Sequence, residues 1–252
     1  MPVGRFLGRL VIAAAVLAAA GSRSVAAGLI VDGDFTVTGS SKALRADNKG
    51  QDWCESRNDT KAGHRLLFLS SKSIAGNATP KAMIKANPDL NTYLSQRFTT
   101  PQKGEFTVRY DVLVREILPD DNRSAFFMIG NDSDKKGGPN STGGERFVFL
   151  GFENAAEKGK INLFARGGSG GWEKRTIAAP NLDLGKWYTI EVVVYPSEAL
   201  YAVSVKGVTQ PIEIEAFKAG RKPPKKLTHM SFSSWNDGAG TFYIDNVSAQ
   251  SQ

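Results

Sequence analysis

The sequence predicts an all-β fold, a two-sheet antiparallel β-sandwich. Three observations predict it. Apolar and polar residues alternate with the period of a strand in many short segments, most clearly over Glu105–Arg115. Gly, Pro, Asn and Asp separate these segments at short intervals, giving roughly a dozen strands and no amphipathic helix longer than two turns. Some strands are apolar on one face and others on both, and that mixture suits two stacked sheets.

Taken in order, Leu29-Ile30-Val31 reads as a short strand and Asp32-Gly33-Asp34-Phe35 as the turn after it. A polar, turn-rich stretch runs on to about Gly63. Strands resume at Arg65–Ser70 and near Met83-Ile84, with Ser71–Thr79 as loop between them. Tyr93–Phe98 places Tyr93, Ser95 and Arg97 on one face and Leu94, Gln96 and Phe98 on the other. In Glu105–Arg115, Phe106, Val108, Tyr110, Val112 and Val114 share the core face; Arg109 and Asp111 lie on the opposite one, interrupted only by Leu113. Ser124–Gly130 is apolar on both sides. Asn131–Gly144 is a long polar loop.

Glu145–Glu153, Lys160–Arg166 and Trp172–Ile177 follow as strands. Trp187–Tyr195 and Leu200–Lys206 form a strong pair turned by Pro196-Ser197, with Trp187 expected in the core. Lys218–Lys226 is a basic loop, read as solvated. In the last stretch, Leu227 to Ala249, two apolar runs flank Asn236-Asp237-Gly238-Ala239-Gly240. Asp-Gly supplies positive-φ geometry, so this stretch is expected to be the closing hairpin.

The chain has 252 residues. Residues 1–27 place Arg5 and Arg9 before the apolar run Leu10–Ala20, then Val25-Ala26-Ala27, which suits a signal peptidase. The run is shorter than the roughly 20 residues a spanning helix needs. Export to a secreted or periplasmic location is expected, with residues 28–252 as a single sandwich domain. The whole chain carries 32 Lys+Arg against 25 Asp+Glu, a net +7; losing Arg5, Arg9 and Arg23 leaves 29 against 25, or +4. That mild basicity permits an acidic polysaccharide or anionic surface. Nucleic acid is not an expected partner, because no organised basic helix exists. Cys54 is the only cysteine, so no intrachain disulfide forms and stability rests on burial.

The run Leu184-Gly185-Lys186-Trp187-Tyr188-Thr189-Ile190-Glu191-Val192, followed by Tyr201-Ala202-Val203-Ser204-Val205, resembles paired strands of the concanavalin A-like lectin/glucanase sandwiches. Gly240–Val247 resembles the last strand of such domains. Most of residues 28–252 is covered, although the motifs are packing motifs. A jelly-roll sandwich and, often, a glycan ligand are what the resemblance implies. Val31–Phe35 together with Tyr243–Val247 is similar to carbohydrate-binding modules of the galactose-binding jelly-roll type. In those, acids on the first and last strands can hold a structural calcium.

The chemistry-bearing patterns are mostly absent. The E-x-D-x-x-E strand of concanavalin-like glucanases and the R-x-E-x-R and Q-x-H strands of alginate-lyase-like sandwiches do not occur. Gly-x-Ser-x-Gly, His-Glu-x-x-His and P-loop patterns are missing too. Only His64 and His229 are available, too few for a multi-histidine zinc site. Calcium favours hard oxygen ligands, and Asp32, Asp34 and Asp245 would meet if the first and last strands pair; otherwise they make a turn and bond backbone amides.

Sugar recognition uses aromatic faces with polar groups for hydroxyls. Trp53, Glu55 and Arg57 fall at strand period and would share a face, either as a sugar subsite or as a lid over the core beside a surface ion pair. Trp172 and Trp235 sit in or beside loops. Arg109 and Asp111 point into a groove if their face is concave. A lyase base and charge-neutralising group would be sought among His64, Tyr93 and Arg146. The expectation is an exported β-sandwich that binds a polysaccharide or glycan without catalysis. The alternatives are a polysaccharide lyase or glycoside hydrolase on the same fold, and a structural or adhesive envelope protein.

Overall fold

The computed structural model describes residues 28–36, 53–55, 65–69, 72–85, 92–118, 123–131, 146–167, 175–216, 224–234 and 239–252. The expected export segment and most of the polar loop after Asn131 lie outside them. No helix among the described residues is long and apolar enough to cross a membrane.

The described residues form β1 (Cys54–Glu55), β2 (Arg65–Leu69), β3 (Lys81–Lys85), β4 (Thr92–Gln102), β5 (Phe106–Ile117), β6 (Arg123–Gly130) and β7 (Arg146–Asn154). They continue as β8 (Lys160–Arg166), β9 (Arg175–Asp183), β10 (Trp187–Tyr195), β11 (Leu200–Val205), β12 (Ile212–Glu215), β13 (Leu227–Ser234) and β14 (Gly240–Ser251). Two antiparallel sheets result. Sheet I runs β1-β4-β13-β6-β7-β8-β9 and sheet II runs β12-β11-β10-β5-β14-β3-β2.

Periodicity explains the layers. In β10, Tyr188, Ile190, Val192 and Val194 are buried and their neighbours half-buried, which is strict alternation. In β5, Phe106, Val108, Tyr110, Val112 and Val114 all enter the core between the sheets. β6 is apolar on both faces because it is covered on both: Phe127 and Ile129 face the main core, Phe126 and Met128 a second cluster. β9 reaches Asp183, past the expected end at Ile177. It contains Pro180, which an edge strand tolerates because one row of its amides is unpaired.

The expected closing hairpin does not exist. β13 pairs with β4 and β6 in sheet I, whereas β14 pairs with β3 and β5 in sheet II. The two apolar runs therefore cross between layers. Each has apolar partners on both sides, and that rewards burial in separate sheets over pairing with one another. Trp187 is likewise not core: it is half-buried, and its indole N–H donates to Ile74 O at 2.8 Å.

The expected first strand is a clasp instead. Leu29 N–H donates to Ala249 O in sheet II, and Leu29 O accepts from Thr99 N–H in sheet I, each at 2.8 Å. Gln96 bonds both backbone groups of Val31, at 2.8 and 2.9 Å. Val247 N–H donates to Gly33 O at 2.8 Å, closing the clasp on the last strand.

Candidate ligand-binding face

The residues expected to bind ligand do not converge. Trp53 is fully buried, with its indole N–H on Asp32 O at 2.9 Å and its ring 5.1 Å from Phe35 and 6.3 Å from Phe232. This corrects the sugar-platform reading: the indole is clasp and core, and a buried ring offers no face for stacking. Glu55 lies on β1 of sheet I. Arg57, Trp172 and Trp235 lie outside the described residues, as does His64.

Arg109 and Asp111 lie on the outer face of sheet II. Arg109 pairs with Glu191; Asp111 accepts from Thr189 Oγ1 at 2.6 Å and Asn246 Nδ2 at 2.8 Å. Both behave as partnered surface charges, on the other sheet from β1.

The three aspartates also stay apart, although the first and last segments do meet. Asp34 and Asp32 accept from Thr36 Oγ1, at 3.0 and 3.4 Å, within their own turn. Asp245 is buried and accepts from Asn77 Nδ2 at 2.7 Å, Thr79 Oγ1 at 2.6 Å and its neighbour Asn246 N–H at 2.7 Å. Among the described residues no three His, Cys, Asp or Glu side chains form a group that could hold a metal ion. The three expected calcium ligands thus stand in two hydrogen-bonded settings, Asp32 and Asp34 on Thr36 and Asp245 on Asn77 and Thr79.

The polar residues that do assemble lie on the outer face of sheet I. Alternation sends Leu94, Phe98, Met230 and Phe232 into the main core. It turns Tyr93, Ser95 and Arg97 of β4, and His229, Ser231 and Ser233 of β13, the other way. Register then aligns them. Arg97 stands opposite His229, His229 opposite Gly130 and Gly130 opposite Arg146, a single row across four strands. Gly130 leaves the space between His229 and Arg146 without a side chain. In the parallel row, Ser95 faces Ser231, and the two hydroxyls are hydrogen-bonded. Arg97 is exposed; His229 and Arg146 are buried at 2% and 7% exposure.

A directed chain of hydrogen bonds fixes His229. Arg97 Nε–H donates to His229 Nε2 at 3.3 Å, so the ring proton sits on Nδ1. Nδ1 lies 2.7 Å from Thr228 Oγ1, which in turn donates to Asn131 Oδ1 at 3.3 Å. Side chains at successive strand positions normally diverge; an irregularity in register between Leu227 and His229 brings Thr228 beside the ring. Burial, and then the Arg97 charge, push the His229 pKa down to about 4, so the imidazole is neutral at pH 7.

Further along the face the aromatic rings carry arginines. The guanidinium carbon of Arg146 lies 5.1 Å from the Phe149 ring centre and that of Arg166 5.5 Å; Arg175 lies 5.6 Å from Phe164. Arg175 also pairs with Glu153. A Cβ on Gly151 would come within 2.7 Å of both Phe164 and Phe126, so glycine there admits the two rings. From across the core, Tyr201 of sheet II anchors this patch: its hydroxyl donates towards Arg166 O at 2.6 Å and Phe149 O at 3.3 Å.

Of these residues, Tyr93 and Arg146 were legible as candidates. The Tyr93-Ser95-Arg97 face was also readable, but not its partner. The missed signal was the alternation of His229, Ser231 and Ser233 with Met230 and Phe232, which marks β13 as a strand with one polar face.

The sequence matches no protein-family model and no curated protein. Solved structures are similar in fold. A carbohydrate esterase from the Shiga toxin-encoding bacteriophage phi24B superposes with a TM-score of 0.54 at 12% identity, covering 85% of this chain and 95% of that one. Peanut lectin superposes at 0.51 and 13% identity, covering 82% and 95%. A sialidase superposes at 0.46 and 14% identity; 80% of this chain is covered, but the chain spans only 17% of the sialidase. The fold is a two-sheet antiparallel β-sandwich of the concanavalin A-like type.

Proposed function

We propose that this chain is an exported carbohydrate-binding protein and that the outer face of sheet I is its binding surface. The observation that carries the reading is the row Arg97–His229–Gly130–Arg146, with the Ser95–Ser231 pair beside it. The exposed Arg97 guanidinium is a donor suited to sugar hydroxyls and ring substituents, and the buried His229, Ser95 and Ser231 support it from beneath. They are held by a sheet rather than by loops, and so are pre-organised. The fold supports the reading by analogy, since peanut lectin is similar in architecture. Affinity gel electrophoresis of the full chain against a panel of polysaccharides tests it. Retardation by at least one polymer, weakened by Arg97→Ala, is the expected result. No retardation by any polymer, with the chain folded, overturns it. Export is tested separately, by N-terminal sequencing of the protein recovered outside the cytoplasm.

A second reading, polysaccharide lyase, has one observation in its favour. Arg97 is an exposed guanidinium on the face that also carries Tyr93, and such a cation can offset the charge of a uronate carboxylate. Absorbance of unsaturated uronates after incubation with acidic polysaccharides separates this reading from binding alone.

A further inference from the structure

We infer that the ligand of this face is a polyanionic polysaccharide, one bearing carboxylate or sulfate groups, and that Arg97 seats the anionic group. The inference rests on the carbohydrate reading above and narrows it. Binding of neutral sugars favours open ring faces, yet Phe149 lies under Arg146 and Arg166, and Phe164 under Arg175. Trp53, the best stacking candidate in the sequence, is fully buried. Among the described residues of this face, Phe149 and Phe164 support guanidinium groups rather than present themselves.

Arg109 pairs with Glu191 on sheet II, and Arg175 with Glu153 at the far side of sheet I. Arg97 differs: it is exposed, and no carboxylate among the described residues pairs with it. Its Nε–H is given to a neutral imidazole, which orients the guanidinium plane without cancelling its charge. The terminal amines are then left to make the parallel, charge-assisted pair that carboxylates and sulfates accept. Across the row, Arg146 brings a second guanidinium, held over the Phe149 ring.

His229 stays neutral because burial and Arg97 disfavour its protonation, so it accepts from Arg97 rather than repelling it. The hydroxyls of Ser95 and Ser231 flank the row, buried and hydrogen-bonded to each other, and tie β4 to β13 beside Arg97.

The test is affinity electrophoresis and titration calorimetry of the full chain with three polymer classes: a uronate polymer, a sulfated galactan, and the neutral polymer made by carboxyl reduction of the uronate. The expected result is retention by one or both anionic polymers and at least about tenfold weaker binding to the reduced one. Arg97→Ala should lower affinity for the anionic polymer about tenfold, and Arg97→Lys should restore part of it. Arg109→Ala, a like charge on the opposite sheet, should leave binding unchanged. Thermal unfolding confirms that each variant is folded; Arg97 is exposed, so both replacements are tolerated sterically. Equal binding of reduced and unreduced polymers overturns this inference while leaving the carbohydrate reading intact. Absence of binding to all three classes and to the wider panel overturns both. Anionic binding that Arg97→Ala and Arg109→Ala weaken equally assigns the anion to overall charge and overturns the seat.

Discussion

Arg97 Nε lies 3.3 Å from His229 Nε2 and donates to it, a contact between a permanent cation and a ring that titrates. Protonating that ring would replace an acceptor with a second donor and set two positive charges side by side. Burial of the ring and the Arg97 charge are the groups' joint reason for a folded-state pKa of about 4, against 6.5 for the free side chain. The linkage sign follows. Between these two values the unfolded chain binds the proton and the folded chain does not, so stability rises with pH there and falls as pH drops from about 6.5 towards 4. The loss expected is of the order of 2 kcal/mol at the acid end. Denaturant unfolding at a series of pH values checks it. His229→Gln, which keeps an acceptor without a titrating group, should flatten the profile across this window.

Trp53→Ala should cost about 3–5 kcal/mol of stability, as expected for removing a large buried aromatic. Its indole holds Asp32 O and packs against Phe35 and Phe232. Chemical denaturation measures the loss. Trp53→Phe, folded but less stable, should retain polysaccharide affinity within a factor of two or so of the original, since the ring touches core and not ligand.

The clasp predicts a sharper defect from a smaller change. A Cβ at Gly33 would stand 1.8 Å from Val247 O, which belongs to backbone and cannot swing aside. Gly33→Ala should therefore open the Gly33–Val247 hydrogen bond and destabilise by about 2 kcal/mol or more. Hydrogen exchange should rise first at Leu29 and Val247, the amides that tie the segment to β14.

One turn is improvable. Ile74 and Asn77 exchange both backbone hydrogen bonds, at 2.9 and 3.0 Å, across Ala75 and Gly76, whose φ angles are 47° and 86°. Positive φ at both central residues is the type I′ pattern, for which Asn-Gly is favoured and alanine is strained. Ala75→Asn should stabilise by about 0.5–1 kcal/mol, seen as a higher melting temperature.

How much of this was readable in the sequence follows from the range of each interaction. β8 and β10 were placed residue for residue, since alternation is written locally. The partner of each strand was not. Asn236-Asp237-Gly238 looks like a hairpin loop, and only the competition among apolar partners in both sheets sends β13 and β14 to different layers. The face of sheet I was hidden for the same reason. Arg97 and His229 are 132 positions apart, and no spacing links them until β4 and β13 pair. Trp53 stood between two readings, sugar subsite and lid over the core, because an indole in a polar stretch has the same local pattern whether it lies on a surface or under a clasp.

Two core tyrosines make opposite predictions from the same substitution. Tyr201 reaches across from sheet II and gives its hydroxyl to the carbonyls of Arg166 and Phe149, the two residues whose guanidinium and ring build the basic patch. Tyr110 packs 4.6 Å from Phe127 and 5.1 Å from Phe232, and its buried hydroxyl has no hydrogen-bond partner among the described residues. Burial raises the pKa of both, so neither ionises in the folded chain at neutral pH. Tyr201→Phe leaves two carbonyls short of a donor inside the core and should cost about 1–3 kcal/mol. It should also loosen the Phe149–Arg166 contact, weakening polysaccharide binding without touching the ligand. Tyr110→Phe removes an unsatisfied group and should be neutral or stabilising by about 1 kcal/mol. Parallel denaturation of the two variants measures the difference, and equal destabilisation by both would refute the assignment of the cross-sheet bond.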